Sequence, residues 1–516
     1  MRLIDFFDRA ASQYSGKAFL RQGDVTRSYA DARDASHRIA AGLRRDGIAP
    51  GEPVGFYMSN DWRGVEALYG TFRAGNPISP ANSRNGVAAN IDYLNTTCAT
   101  ALFFHSNYAD DAMAVAKSCP SVRLMVCLDQ TVGDYPSLAD WMAPAGTISP
   151  DMPVEPTGPW GLFGTSGTTG NSKCVVQTHL TALALTWDML FAMRAHEPSR
   201  HLVVAPLSHF AGTFLFALTA VGSTHFIHEK VDVLEIMRTI ERERIEYLFL
   251  PPTVIYMMLA HPEVRNFDYS SLKAFTYAGA PMAKAKVIEA IEVFGPVMMN
   301  MLGQTECNGP ITFLRPEEHR INAGPEWDWR LQSIGRASVN RQIAIMGDDG
   351  SILPPGQAGE LVIRGWGNSA GYLNNPEATA ELFRDGWLHT GDVGIMDDEG
   401  YVVLMDRKKD MIISGGLNVF SVEVEEVLLS HPAVLAAAVI GIPHEKWGEA
   451  VHAVVELKDG VDVSADELIQ LCKGQLGGVK APKSVEFRPA LPRNPTGKIL
   501  KREIRKDFWR DHDRAI

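Results

Sequence analysis

Ten consecutive residues, Gly164 to Lys173, read GTSGTTGNSK and hold three glycines, five hydroxyl side chains (Thr165, Ser166, Thr168, Thr169, Ser172) and one lysine. Glycine admits the backbone that turns successive N–H groups toward one anion; the hydroxyls add donors and Lys173 adds positive charge. The chemistry of such a stretch is phosphate binding, and the alternative is a plain connecting loop. Spelling excludes two neighbouring motifs. A Walker A loop needs its lysine directly after the last glycine, but Asn171 follows Gly170. A hydrolase nucleophile elbow reads G-x-S-x-G, but Ser166 is followed at once by Gly167 and Thr168.

The elements that must position this loop follow from periodicity. From Asp5 to about Asp46 the pattern reads as helix, then Val54–Met58 as strand, Val65–Arg73 as helix, Ala101–Phe104 as strand, Ala112–Lys117 as helix and Leu124–Leu128 as strand. Strand, helix, strand at this spacing implies parallel pairing through right-handed crossovers. Trp160–Phe163 is a strand leading into the loop. Ala274–Tyr277 and Val297–Met299 are strands followed by polar or glycine-bearing turns, Ala278-Gly279-Ala280-Pro281 and Asn300 to Glu306. Ligands of open parallel sheets collect beyond the carboxyl ends of strands, so these turns are expected to share a crevice. From Ile334 the texture shifts to short alternating strands that predict a small barrel or antiparallel sheet. A charged run, Asp406 to Asp410, marks a boundary, and a compact α/β unit follows. The expected fold class is α/β: a large N-terminal domain of parallel α/β layers plus a small barrel over residues 1–408, then a small mobile α/β domain over 409–516.

Bulk properties set limits. With 516 residues the chain exceeds one core. A hydrophobic share of 46% and a charged share of 21% exclude disordered and collagen-like classes. The net charge of -12 argues against a general nucleic-acid binder. Six cysteines without a C-x-x-C pair suit a reducing compartment, and no apolar run approaches a membrane-spanning length, so a cytoplasmic protein is expected. Cys174, beside the loop, is expected to be packed.

The motif set resembles the adenylate-forming superfamily of acyl-CoA synthetases, firefly-luciferase-like enzymes and peptide-synthetase adenylation domains. It is carried by GTSGTTGNSK, by NMLGQTE at Asn300–Glu306, by Gly359-Glu360-Leu361 with Gly371-Tyr372, by TGD at Thr390–Asp392, by DRKKDMIISGG at Asp406–Gly416 and by PRNPTGK at Pro492–Lys498, in the family's order. The resemblance implies a two-step ligase using ATP, Mg2+ and CoA. A carboxylate displaces pyrophosphate from ATP to give an acyl-adenylate, the C-terminal domain rotates, and a thiol displaces AMP. It assigns Thr165, Ser166, Gly167, Thr168, Thr169 and Lys173 to the phosphates, Glu306 to magnesium, and Thr305 to the α-phosphate. Ala278, Gly279, Ala280, Asn300, Leu302 and Gly303 fall to the nucleotide, Asp392 to the ribose hydroxyls and Arg407 to ribose and phosphate. Lys498 stands between carboxylate and α-phosphate, Lys409 is the hinge, and Gly415 and Gly416 line the pantetheine tunnel.

Three departures from the family pattern stand out. Ser172 and Cys174 flank the loop lysine in place of proline and glycine. Leu417 replaces a commoner glutamate. Leu302 stands where most relatives place a tyrosine against adenine, so that either ATP binds more weakly or another ring such as Tyr277 compensates. The resemblance places the acyl pocket at His209, Phe210, Tyr277, Ala278, Gly279, Leu302 and Gly309, an apolar set without arginine, which disfavours dicarboxylates. His209 is either an acyl gate or a packed histidine. A medium- or long-chain fatty acid is the first expectation for the substrate and an aryl or arylpropenoic acid the second, with the enzyme a monomer or homodimer. The other classes are an enzyme that loads a carrier protein, a luciferase-like oxygenase, and a nucleotide-binding protein without turnover.

Overall fold

The computed structural model describes residues 1–165, 173–493 and 499–509. The chain forms two compact units, one of residues 1–342 and 363–388 and the other of residues 343–362 and 389–516. A five-stranded sheet is built from Arg341–Met346, Ala358–Gly365, Phe383–Arg384, Trp387–Met396 and Val402–Arg407, where the sequence allowed a small barrel or an antiparallel sheet.

The first unit is mixed α/β with two large sheets. One has six strands, in the order Leu124–Cys127, Ala101–Phe104, Val54–Tyr57, Ile78–Pro80, Pro159–Gly164 and Cys174–Thr178. All its pairings are parallel except the last. The other has nine strands, and its central run from Met298–Gln304 through Ala274–Ala278, Tyr247–Leu250, Arg200–Val203 and Thr224–Ile227 to Ala18–Gln22 is parallel. Four-residue strands such as Val54–Tyr57, Ala101–Phe104 and Tyr247–Leu250 are buried throughout, as parallel strands covered on both faces must be. The helices that cover them are capped from the sequence: Ser28 accepts from Asp31 N before Tyr29–Arg45, and Asp232 from Glu235 N before Val233–Arg242.

One expectation is corrected here. The stretch from Asp5 to Asp46 is not continuous helix: Leu3–Gln13 and Tyr29–Arg45 are separated by a hairpin of Ala18–Gln22 with Val25–Ser28. The two-residue Gly23-Asp24 turn, with Gly23 at φ 55°, ends the first strand and supplies the positive φ that hairpin turns favour.

Burial also sets an acid limit on this unit. His201 Nδ1 lies 2.9 Å from His225 Nδ1, and His225 Nε2 lies 3.0 Å from Thr219 Oγ1, which itself donates to Leu215 O. Thr219 therefore accepts from His225 Nε2–H, and His225 Nδ1 accepts from His201. Both rings are neutral; burial pulls His201 down to about 3 and His225 well below the ordinary histidine value. Stability from the neutral rings is complete above the unfolded value near 6.5 and is lost as pH falls toward the folded values, by about 1.4 kcal/mol per pH unit for each ring. The melting temperature is expected to drop between pH 7.5 and 5, and the His201→Gln, His225→Gln double variant to drop less. Parallel slopes for the two proteins would exclude this origin.

The second unit carries another sheet, ordered Leu417–Val419, Ile412–Ser414, Gly448–Leu457 and Val434–His444, with Ser484–Phe487 parallel to Gly448–Leu457. Helix Lys501–Trp509 anchors there through Lys501, whose Nζ reaches Glu425 Oε1 at 2.7 Å and Ser421 Oγ at 2.5 Å. No helix among the described residues is long and apolar enough to cross a membrane.

Candidate active site

The strands on either side of residues 166–172 form a closed stem. Gly164 pairs with Cys174, and Thr165 N donates to Lys173 O at 2.8 Å. Ser166, Gly167, Thr168 and Thr169 lie outside the described residues. Burial pushes the Cys174 thiol up to about 12, in keeping with a packed cysteine.

A second segment lies along this stem. Val176 N donates to Gly371 O, Ala370 N to Val176 O, and Leu373 N to Cys174 O. The same segment grips Glu306 twice: Ser369 N donates to its backbone oxygen at 2.9 Å, and the Tyr372 hydroxyl to Oε1 at 2.9 Å. Lys173 Nζ sits 4.8 Å from the centre of the Tyr372 ring. Burial, and then the Glu306 charge, hold the Tyr372 phenol above its ordinary value, so it remains a donor. Loop lysine, tyrosine and carboxylate therefore converge. The glycine-tyrosine pair marked the family in the sequence, yet nothing in the sequence tied Tyr372 to Glu306.

Thr305 and Glu306 occupy a single 3-10 turn, Thr305–Cys307, after strand Met298–Gln304. Gln177 Nε2 donates to Thr305 O. Behind the turn is an ion pair with no exposed side-chain surface. Arg341 Nε lies 3.4 Å from Asp188 Oδ2, and Nη2 donates to Cys307 O at 2.7 Å while contacting Asn308 O at 3.4 Å. Nη1 donates to Asn368 Oδ1 at 3.2 Å. Burial raises the Asp188 carboxyl against the pull of Arg341. A Cβ on Gly367 would fall 1.8 Å from Arg341 Nη2, so only glycine leaves room for the guanidinium.

The expected acyl residues divide between the faces of the nine-stranded sheet. Ala278 joins the core of helices His179–Met193 and Phe210–Thr219, together with Phe249, Met299 and Met301. On that face the Phe210 ring packs edge-on to Phe214 and Phe249, a Gly303 Cβ would lie 3.7 Å from Phe210, and a Gly309 Cβ would strike Leu185. Tyr277 points the other way, because successive residues of a strand alternate. It is buried among Leu250, Val254 and Met282, and its hydroxyl lies 3.1 Å from His319 Nε2. Its ring is therefore not available to adenine and does not compensate for Leu302. Leu302 is half-buried, Asn300 donates to Ser333 O at 3.2 Å, and Gly279 and Ala280 are exposed in the turn, with Gly279 at φ 86°. His209 is not a packed core histidine. His209 is an exposed residue, and desolvation of its imidazole, followed by the Arg84 charge, lowers its pKa; Ser208 Oγ lies 2.8 Å from Nδ1.

In the second unit Asp392 and Arg407 face each other across an antiparallel ladder, with Arg407 Nε 3.1 Å from Asp392 Oδ1. Lys408 reaches Asp348 at 2.7 Å and Glu360 at 3.6 Å. The Lys409 carbonyl accepts from Arg505 Nη1 at 3.1 Å, and Asp410 pairs with Arg505 at 2.8 Å. Gly415 and Gly416, at φ 60° and 79°, form the two-residue turn between Ile412–Ser414 and Leu417–Val419, where positive φ at both places favours glycine. Lys498 lies outside the described residues, but its flanks are closed by a bridge between Arg493 and Ile499.

Among the described residues no three His, Cys, Asp or Glu side chains cluster as a metal cage. Magnesium bound through one carboxylate and nucleotide phosphates needs none, and the oxygen donor of Glu306 fits that mode.

The sequence profile of AMP-binding enzymes matches residues 7–373, and that of the AMP-binding enzyme C-terminal domain matches residues 423–498. The chain is 34% identical over 500 residues to a feruloyl-CoA synthase of Amycolatopsis sp, covering 95% of both chains. It is also 34% identical over 494 residues to a long-chain-fatty-acid CoA ligase of Mycobacterium tuberculosis, covering 94% of both. Among solved structures it resembles an amide bond synthetase from Marinactinospora thermotolerans, with a TM-score of 0.88, 29% identity, and coverage of 98% of this chain and 100% of that one.

Proposed function

The chain belongs to the AMP-binding enzyme family, and from that premise we propose that it is an ATP-dependent acyl-CoA ligase for a medium- or long-chain fatty acid. The observation that carries the reading is the convergence of Lys173, Tyr372 and Glu306 beside the stem of the glycine-rich loop. A cation for phosphate oxygens and a carboxylate for a hard metal lie one tyrosine apart.

In the first half-reaction the acid's carboxylate oxygen attacks the α-phosphorus, the bond to the bridging oxygen breaks, and pyrophosphate leaves. In the second, a thiol sulfur attacks the acyl carbon, the acyl–oxygen bond breaks, and AMP departs as the thiol proton passes to solvent. The backbone and hydroxyls of residues 165–169 with Lys173 hold the terminal phosphates, and Thr305 bonds the α-phosphate. Asp392 accepts the ribose hydroxyls, and Arg407 fixes its carboxylate. Glu306 would hold magnesium, which would supply neutralisation of charge on the phosphate oxygens. Lys498 stabilises charge developing between carboxylate and phosphate. Lys409 serves as the pivot of the 409–516 domain, and Gly415 and Gly416 border the path of the pantetheine arm. His209, open to solvent, closes over the acid's carboxyl end. Adenine meets Leu302 in place of a ring, forgoing about 0.5–1.5 kcal/mol of aromatic contact.

The acid chain is assigned to the face bearing Phe210, Ala278, Gly303 and Gly309, where the described neighbours are apolar. The aromatic cluster of Phe210, Phe214 and Phe249 favours a second reading, an aryl or arylpropenoic acid. A panel containing octanoate, palmitate, cinnamate and ferulate, assayed for AMP release with CoA and for the thioester by mass, tests the choice. A higher kcat/KM for the alkanoates supports the first reading; preference for the propenoates supports the second. AMP release without a CoA thioester would point to a carrier-protein acceptor. The cytoplasm is the proposed location.

A further inference from the structure

The geometry points to Tyr372 as a positioning residue that keeps the Lys173 ammonium and the Glu306 carboxylate apart and aimed at different partners, an inference that rests on the assignment of Glu306 to the metal. Opposite charges left free to meet would pair and neutralise each other. Between them stands one phenol: its ring face lies 4.8 Å from Lys173 Nζ, and its hydroxyl donates to Glu306 Oε1 at 2.9 Å. A ring face attracts the ammonium without offering it a strong acceptor, so the lysine keeps its N–H donors for phosphate. A neutral donor on one carboxylate oxygen fixes the rotamer and leaves the negative charge in place, as outer partners of metal ligands do.

The tyrosine is held as firmly as the residues it separates. Its N–H donates to Thr379 Oγ1 at 2.9 Å, and its backbone bridges Val175 on the loop stem. Gly371 before it has φ 102°, and a Cβ there would fall 2.3 Å from Thr379 Cγ2. Three positions earlier, Ser369 N holds the backbone oxygen of Glu306, so one short segment fixes both ends of the glutamate.

The test compares wild type, Tyr372→Phe, Tyr372→Leu and Glu306→Gln. Mn2+ binding is titrated by electron paramagnetic resonance in the presence of a non-hydrolysable ATP analogue, alongside the free Mg2+ needed for half-maximal pyrophosphate release and the melting temperature. Tyr372→Phe is expected to weaken Mn2+ binding and raise the Mg2+ requirement about 10-fold, with KM for ATP at saturating metal and melting temperature near wild type. Tyr372→Leu, which also loses the ring, is expected to raise KM for ATP a further ~2- to 5-fold. Wild-type Mn2+ affinity in Tyr372→Phe, while Glu306→Gln loses Mn2+, overturns the tyrosine's role and leaves the glutamate's intact. Wild-type Mn2+ affinity in Glu306→Gln overturns both. A lower melting temperature in Tyr372→Phe with unchanged metal affinity marks a merely structural residue and also overturns the role.

Discussion

Lys498→Ala is expected to slow acid-dependent pyrophosphate release about 10²- to 10³-fold while leaving thioester formation from supplied acyl-adenylate within a few-fold of wild type. The asymmetry follows from where charge develops. In the first step two anionic groups approach each other at the α-phosphate, and a preplaced ammonium is worth most there. In the second step the attacked acyl carbon is neutral, so no approach of two anions has to be offset as the acyl–oxygen bond breaks and AMP leaves. A lysine three residues before helix Lys501–Trp509 is poorly placed for helix stability, since cations are unfavourable at helix N-termini. The residues that flank it are nevertheless drawn together by the Arg493–Ile499 bridge. Lys498→Arg should recover part of the first step because it retains the charge. Equal losses in both half-reactions for the alanine variant would refute the division of labour.

Arg341→Met is expected to cost about 3–5 kcal/mol of stability in denaturant unfolding, because it leaves the Asp188 carboxyl buried without its cation. The guanidinium also serves the carbonyls of Cys307 and Asn308 and the Asn368 side chain, so the damage falls on the turn that carries Glu306. Asp188→Leu combined with Arg341→Met removes both charges and should recover most of the loss, since apolar replacement of a buried pair is often close to neutral. Recovery should stop short of wild type because the carbonyls remain without a donor. If the single variant unfolds like wild type, or the double variant is no better than the single, the account of this pair fails.

What the sequence disclosed follows from how local each signal is. Strand and helix alternation is local, so the parallel α/β layers and the glycine turns beyond the strands were readable from composition and spacing. The Ala18–Ser28 hairpin was not, because helical spacing on either side masked a short turn whose Gly23-Asp24 signal was there to be read. Side-chain parity along Ala274–Ala278 was also available, yet Tyr277 was grouped with Phe210 because motif position says nothing about which face a residue uses. The ties among Glu306, Tyr372, Arg341 and Asp188 cross 66 residues in one case and 153 in another. Only the folded chain discloses partners at such separations.

The alternation of the central strands has a practical consequence for altering the acid that is taken. Ala274 and Ala278 face one core with Met299 and Met301, while Phe275, Tyr277 and Met298 face the other. Under the proposed placement of the acid, a mutant library need randomise only the residues sharing the Phe210 face. Leaving their immediate neighbours untouched would preserve the opposite core, so that changes in substrate range could be selected without eroding the fold that displays them.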